Sequence, residues 1–432
     1  MVPIGHGKMT EFYDNMTEDF VERCTTCGEC LETCPLFPLT KYASRGPQAI
    51  IEKVVQLLKG GEISEEASEM LVSCTWGCNT CVKACPEGLI PRLAFMLAIP
   101  KMVSAGKKPP PPVFQTVGNR YGLANVFHAL QVKPSEMRWV KRAPVNPEPV
   151  EVVFWASCSG TCHPNVLLDV VGVLDRMGIN LATLGGGEIC CGLSAILRGD
   201  LEAMESLGET FVSNIAAFHP KKALFLCQGC QARCSGAIPG LPSPLPFETF
   251  WLPDFLVENL DKIPFTQRVD KVVTVHDSCG VTSFGNYEVT RELLRAIPGI
   301  TLVEMEHNRE NNLCCGGLAV HTRPEITEHM RRAPLREADA VGADILATTC
   351  IGCHASFLPV EHHYRCEVRS FISLVAEAVG VYNEDRFRKY MRCGSPAEVL
   401  AEARGYIDAS DYSLEEMERV LPGMFNRLRG SV

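Results

Sequence analysis

Two adjacent cysteines followed by two glycines, in the stretch ENNLCCGGLAV from Glu310 to Val320, raise the question of what chemistry needs both thiols. A disulfide between chain neighbours closes a strained ring, and one zinc ion rarely takes two consecutive ligands. Neighbouring irons of a larger, more open cluster can use both. The chain carries 22 cysteines in 432 residues, enough ligands for several such centres.

Eight of them fall in two short runs. CTTCGECLETCP supplies Cys24, Cys27, Cys30 and Cys34, and CTWGCNTCVKACP supplies Cys74, Cys78, Cys81 and Cys85. The first run has the bacterial ferredoxin spacing, and the second differs by one residue inserted after its first cysteine. In such runs three thiolates wrap one cubane while the fourth, followed by proline, ligates the other. The spacing therefore groups Cys24, Cys27 and Cys30 with Cys85, and Cys74, Cys78 and Cys81 with Cys34. Structural zinc sites would use C-x2-C pairs without the third cysteine or the trailing proline.

Most of the remaining cysteines form an internal repeat. Cys158, the pair Cys190 and Cys191 followed by Gly192, and Cys227 with Cys230 recur as Cys279, the pair Cys314 and Cys315 followed by Gly316, and Cys350 with Cys353, offset by 121 to 124 residues. Each set of five exceeds the four ligands that a cubane requires. Gly316 and Gly317 are expected to leave room where a substrate approaches the centre. Cys162 competes with Cys158 for its role, Cys234 lies just beyond Cys230, and Cys366 and Cys393 fit neither motif. His276, His354 and the pair His362 and His363 are candidates for proton delivery near the site.

The elements that position these thiols follow from periodicity. EVVFWASCSG and KVVTVHDSCG are apolar, β-rich runs that deliver a cysteine at their carboxyl ends, and KKALFLCQGC and ADILATTCIGC deliver the C-x2-C pairs in the same way. PNVLLDVVGVLDRMGI and YEVTRELLRAIPGI have helical spacing. Alternating strands and helices predict α/β units whose ligands gather at one edge of a parallel sheet. Between the ferredoxin runs, PQAIIEKVVQLLKGG predicts a helix, longer than a compact two-hairpin ferredoxin would insert. AGKKPPPPVFQ reads as a stiff joint.

Composition narrows the class. A net charge of −10 lacks the clustered Lys and Arg of a nucleic-acid footprint, so no nucleic acid is expected as partner. The first twenty residues show no secretory signal pattern, and no apolar run reaches the ~18 residues of a membrane span. We expect a cytoplasmic chain, in which so many thiols serve metals rather than disulfides.

At these motifs the chain resembles the heterodisulfide reductase family, in its D-type branch, where a ferredoxin-like dicluster portion is fused to two cysteine-rich CCG domains. The intervals of 31 and 34 residues before each cysteine pair, and of 34 and 33 residues from its glycine to the C-x2-C, carry the resemblance. It implies an α+β multidomain fold: a mostly α-helical dicluster domain over residues 1–105, a Pro-rich connecting segment over 106–149, α/β CCG domains over 150–265 and 266–378, and a helical tail over 379–432. It implies two cubane [4Fe-4S] clusters and one or two non-cubane [4Fe-4S] clusters. Ligands would be Cys158, Cys190, Cys191, Cys227 and Cys230 in the first CCG domain, and Cys279, Cys314, Cys315, Cys350 and Cys353 in the second. The second set together with His276 is the expected catalytic centre.

The resemblance leaves two functions. In one, electrons pass through the cubanes to a non-cubane cluster where a small disulfide or thiol substrate is reduced or formed. In the other, the chain relays electrons between a flavin dehydrogenase or cytochrome partner and the quinone pool. Both complete CCG motifs favour the first. No G-x-G-x-x-G follows a strand, since LGGGEICCG belongs to the CCG motif, so flavin chemistry would sit on another polypeptide. The expected partner is a membrane cytochrome b-type or other redox subunit, or a soluble iron–sulfur or flavin subunit, which would hold the chain at the membrane periphery.

Overall fold

The computed structural model describes residues 9–74, 78, 80–107, 119–196, 198–236, 241, 244–317 and 324–429. Of the proline-rich joint AGKKPPPPVFQ, residues 108–115 lie outside the described residues.

The amino-terminal part is helical. Proline at the first turn, with its φ already set for a helix, starts the helix Pro47–Leu58. Its Ile50, Ile51, Val54, Val55, Leu57 and Leu58 are all buried, as their spacing requires. Helix Glu65–Ser73 is capped by Ser64, whose Oγ accepts from the Ala67 amide at 3.0 Å. These two helices, with Met9–Arg23 and Pro91–Ser104, share one apolar core on which both ferredoxin loops rest.

Two four-stranded sheets follow. The first comprises β1 (Val152–Trp155), β2 (Leu181–Leu184), β3 (Lys222–Phe225) and β4 (Glu248–Trp251), in the order β2-β1-β3-β4. The second comprises β5 (Lys271–His276), β6 (Ile300–Leu302), β7 (Ile345–Thr348) and β8 (Glu367–Ser370), in the order β6-β5-β7-β8. All pairings are parallel, with Trp155 opposite Phe225 and His276 opposite Thr348. β1 and β7 are buried along their length and β3 and β5 over all but their first residues, consistent with helices on both faces. In each sheet the winding reverses between the two central strands, β1 and β3 or β5 and β7. That leaves a crevice at their carboxyl ends, where Cys158 and Cys227, or Cys279 and Cys350, emerge.

The two units pack through the helices Pro164–Arg176 and Phe371–Ala378, within one apolar cluster that contains strands of both sheets. Asp169 is buried in this contact and accepts from Ser373 Oγ at 2.6 Å and Asn383 Nδ2 at 2.8 Å. Burial pushes its pKa up to about 6 despite these donors.

Residues 106–149, expected to be a connecting segment, are more than that over their described part. Helix Leu123–Ala129 is buried against the carboxyl-terminal helices and the second sheet's helices. The tail helices Arg386–Arg392, Pro396–Glu402 and Leu414–Arg429 spend their apolar faces in the same cluster, and Tyr390 Oη donates to Leu130 O at 2.6 Å. The chain itself thus covers the tail. Leu421→Ala is expected to lower stability by about 2–5 kcal/mol in denaturant unfolding, the cost of a core cavity; a loss below about 0.5 kcal/mol would identify the tail as a surface element.

Candidate iron–sulfur and substrate site

The ferredoxin loops bring their cysteines into two groups. Cys24, Cys27, Cys30 and Cys85 line one small cavity together with Gly28, Ile51 and Pro86. Burial pushes the Cys30 thiol up to about 12, and the thiols of Cys81, Cys24, Cys27 and Cys85 add to it. Burial likewise raises Cys34, with Cys78 contributing, and lifts Cys81 to about 11, with Cys78 and Cys34 contributing. Cys74 belongs to the same apolar neighbourhood. Crowded, half-buried thiols that oppose one another's ionisation become thiolates only with cationic iron among them, and this donor set suits cubane clusters.

The first cysteine-rich unit gathers its five thiols at the crevice. Cys158 follows β1, Cys190 and Cys191 follow β2, and Cys227 follows β3 and precedes the short helix Gln228–Cys234 that carries Cys230. Cys190 Sγ lies 3.9 Å from Cys158 Sγ and accepts from the Gly192 amide at 3.4 Å. Hydrogen-bonding contacts with Cys158 and then Cys191 hold Cys190 well below the usual thiol range, while Cys158 and Cys191 are driven up by the same contacts. Cys230 lowers Cys227 to about 7. Trp155 Nε1 donates to Cys230 Sγ at 3.4 Å. Cys162 is buried outside this group, its surroundings set by Asp385, so Cys158 is the member the fold brings in. Burial pushes Cys234 up to about 12, opposed by Arg233.

The second unit repeats the arrangement with one change. Cys314 and Cys353 both hydrogen-bond to Cys315 and hold it well below the usual thiol range, and Cys350 bonds Cys353. Cys279 is pushed up by burial, then by Cys350 and Cys315. The residue matching Trp155 is His276, whose ring nitrogen lies within 4.8 Å of the Cys315 and Cys353 sulfurs. A polar imidazole thus replaces the indole beside the thiols. His354 faces Thr348 Oγ1 at 3.4 Å and Asp385 Oδ2 at 3.2 Å, and the exposed His362 and His363 sit on a surface turn.

The glycines beside the cysteine pairs serve packing rather than opening a channel. Gly192 and Gly316 have φ of 84° and 68°. A Cβ on Gly192 would meet Met204 O at 2.4 Å, and one on Gly316 would meet Thr327 Cα at 2.9 Å. A Cβ on Gly317 would press on Gly352 O at 3.0 Å, so the expected room beside the pair is filled by the chain's own helices.

The ferredoxin part packs on both units, sharing its apolar core with Ala195 and Met204 of the first and meeting the second through polar contacts. Lys83 Nζ donates to Asn311 Oδ1 at 2.7 Å and to Glu310 O, and Arg92 Nη2 donates to Ser283 Oγ at 3.0 Å. Cys34 and Cys314 pack on the same small cluster of Leu36, Ile326 and Met330, and Cys78 is close enough to raise the Cys314 thiol.

A buried ionic network, invisible to motif reading, fixes the loop that carries the cysteine pair. Arg291, fully buried, donates bidentately to Asp277 at 2.8 and 2.8 Å and to Glu304 at 2.8 and 2.9 Å. Asp277 Oδ2 also accepts from the Arg309 amide at 2.6 Å, and Asn312 Nδ2 donates to Asp277 O at 2.7 Å. Asp277 stands two residues before Cys279, so the network ties both approaches to the thiols. In the first unit the matching positions hold Ala156 and Val170. Arg291→Ala leaves the buried Asp277 carboxylate without a cation and Glu304 with only Arg309 at 3.4 Å, and is expected to cost about 3–5 kcal/mol in chemical unfolding. Iron should be lost from the second unit before the first; unchanged stability would contradict this role.

Residues 20–89 match the 4Fe-4S dicluster domain family, and residues 152–234 and 273–358 match the cysteine-rich (CCG) domain family. The chain is 27% identical over 402 residues to a subunit of the dihydromethanophenazine:CoB--CoM heterodisulfide reductase of Methanosarcina barkeri, its D-type chain, covering 84% of this chain and 94% of that protein. It is 25% identical over 401 residues to the glycolate oxidase iron-sulfur subunit of Escherichia coli, covering 84% and 95%. A crystal structure of a hypothetical protein from Helicobacter pylori shares the fold with a TM-score of 0.50 at 10% identity, over 86% of this chain and 73% of that one. The dicluster match assigns two cubane [4Fe-4S] clusters to the helical part, and the CCG matches assign non-cubane chemistry to the sheets. With both thiol-rich sheets and the ferredoxin loops in one chain, the protein is an iron–sulfur oxidoreductase that joins a 4Fe-4S dicluster domain to two cysteine-rich CCG domains, an architecture similar to that of D-type heterodisulfide reductase chains.

Proposed function

We propose that this oxidoreductase is the catalytic subunit of a complex that reduces or forms a small disulfide at its second cysteine-rich unit. When bound, the clusters supply one-electron transfer and an iron to which a substrate sulfur can bind. Cys24, Cys27, Cys30 and Cys85 would hold one cubane, and Cys74, Cys78, Cys81 and Cys34 the other. Cys158, Cys190, Cys191, Cys227 and Cys230 would hold one non-cubane cluster, and Cys279, Cys314, Cys315, Cys350 and Cys353 the second.

The observation that carries this reading is the asymmetry of the two thiol sets. Trp155 offers the first an indole N–H that can only donate, to Cys230, whereas His276 offers the second an imidazole, able to donate or accept, beside Cys315 and Cys353. The second set also abuts the ferredoxin part, through Cys78 and Cys314. His276 would orient a sulfur substrate by hydrogen bonding, while Arg291 and Asp277 hold the loop rigid around it. Electrons would come from a cytochrome b-type or other redox subunit, or from a soluble iron–sulfur or flavin subunit, since both named relatives are themselves parts of larger complexes. Among the described residues no helix is long and apolar enough to cross a membrane.

The similarity to a glycolate oxidase iron-sulfur subunit favours a second reading, a relay without substrate chemistry. Reduced-dye-driven disulfide reduction by the anaerobic holoprotein separates the two. We expect His276→Leu to lower this activity at least about tenfold, with iron content retained, and Trp155→Phe to lower it far less. Absence of disulfide reduction in the unaltered protein, or equal effects of the two substitutions, would favour the relay.

A further inference from the structure

Away from the thiols, three side chains from distant parts of the chain converge in the interior. His163 begins the helix Pro164–Arg176 of the first unit, His354 lies in the helix Ile351–Phe357 of the second, and Asp385 caps the tail helix Arg386–Arg392. Their ligand atoms all lie within 4.8 Å of one another. His163 is fully buried, and neither ring nitrogen has a hydrogen-bond partner. An unpartnered buried polar atom costs about 1–3 kcal/mol, so such an imidazole calls for something to bind.

We propose that His163, His354 and Asp385 form a zinc site that clamps the two cysteine-rich units and the carboxyl-terminal helices together. The spacing suits one ion. Two ligands of a tetrahedral zinc with bonds near 2.0 Å stand about 3.3 Å apart, and His354 Nε2 is 3.2 Å from Asp385 Oδ2. Two imidazoles on one such ion have ring centres about 5 Å apart, and those of His163 and His354 are 5.0 Å apart at an interplanar angle of 74°. Asp385 can serve two tasks, because Oδ1 accepts from the Arg388 amide at 3.0 Å while Oδ2 faces the histidines. A cavity of about 440 Å³, lined by His354, Asp385, Asp169 and Asn383 among others, opens a route for the ion and a water as fourth ligand. Phe387, its ring centre 4.5 Å from that of His163, leaves little space for the open coordination of a redox iron.

Zinc and iron analysis of the anaerobically purified holoprotein, with zinc-edge X-ray absorption, tests the site without reference to activity. We expect about one zinc per chain with only nitrogen and oxygen neighbours near 2.0 Å. Absence of zinc, or zinc with sulfur neighbours near 2.3 Å, would overturn the proposal. His163→Gln and Asp385→Asn should each lower zinc about tenfold with iron unchanged, and retention of zinc in either would also overturn it. If neither variant folds, the spectrum of the unaltered protein decides alone.

Discussion

Thiols packed together out of water resist ionisation, because each new negative charge loses hydration and meets its neighbours; hydrogen bonds offset this for a few sulfurs, and cations placed among them relieve it for the whole set. Each sheet of this protein brings five thiols into such a space, and in each the contacts drive some sulfurs up and one well down. The parallel sheets answer this constraint geometrically. Their two central strands end side by side where the winding reverses, so three loops can deliver cysteines to one crevice without any strand leaving the sheet. Glycine after each cysteine pair then lets a helix pass at contact distance and lock the loop.

The duplication makes the differences between the halves informative. Ala156, Val170 and Trp155 make the first crevice apolar, whereas Asp277, Arg291 and His276 make the second charged and polar. A buried ionic network is not a cheap source of stability, since desolvation consumes much of its attraction. Its value here lies in holding the loop from Glu304 to Cys315 in one arrangement, on the side where the ferredoxin part docks.

Much of this was legible from cysteine spacing alone. The two ferredoxin groups, the repeated five-cysteine layout, the parallel units and the buried helix Pro47–Leu58 all follow from residue type and period. What escaped depends on contacts distant in sequence. Helix Leu123–Ala129 lies in a stretch with no motif, and only its partners in the tail show that it belongs to the core. Gly316 reads as open space until Thr327 is seen behind it. His163 follows a stray cysteine and carries no pattern, yet it meets His354 and Asp385 across about two hundred residues of chain. Arg291 reads as one charge on an amphipathic helix, and nothing local reveals that its partners are Asp277 and Glu304.

The central claim is that both five-thiol crevices hold iron and that one of them meets a sulfur substrate. Iron and acid-labile sulfide per chain after strictly anaerobic purification, joined to EPR of the oxidised protein with and without added thiol, test it most directly. Four filled sites give about 16 irons and a signal that changes on thiol addition, whereas about 12 irons would mean an empty crevice and contradict the claim for that crevice. About 8 irons, confined to the ferredoxin loops, with no response to thiol, would contradict it.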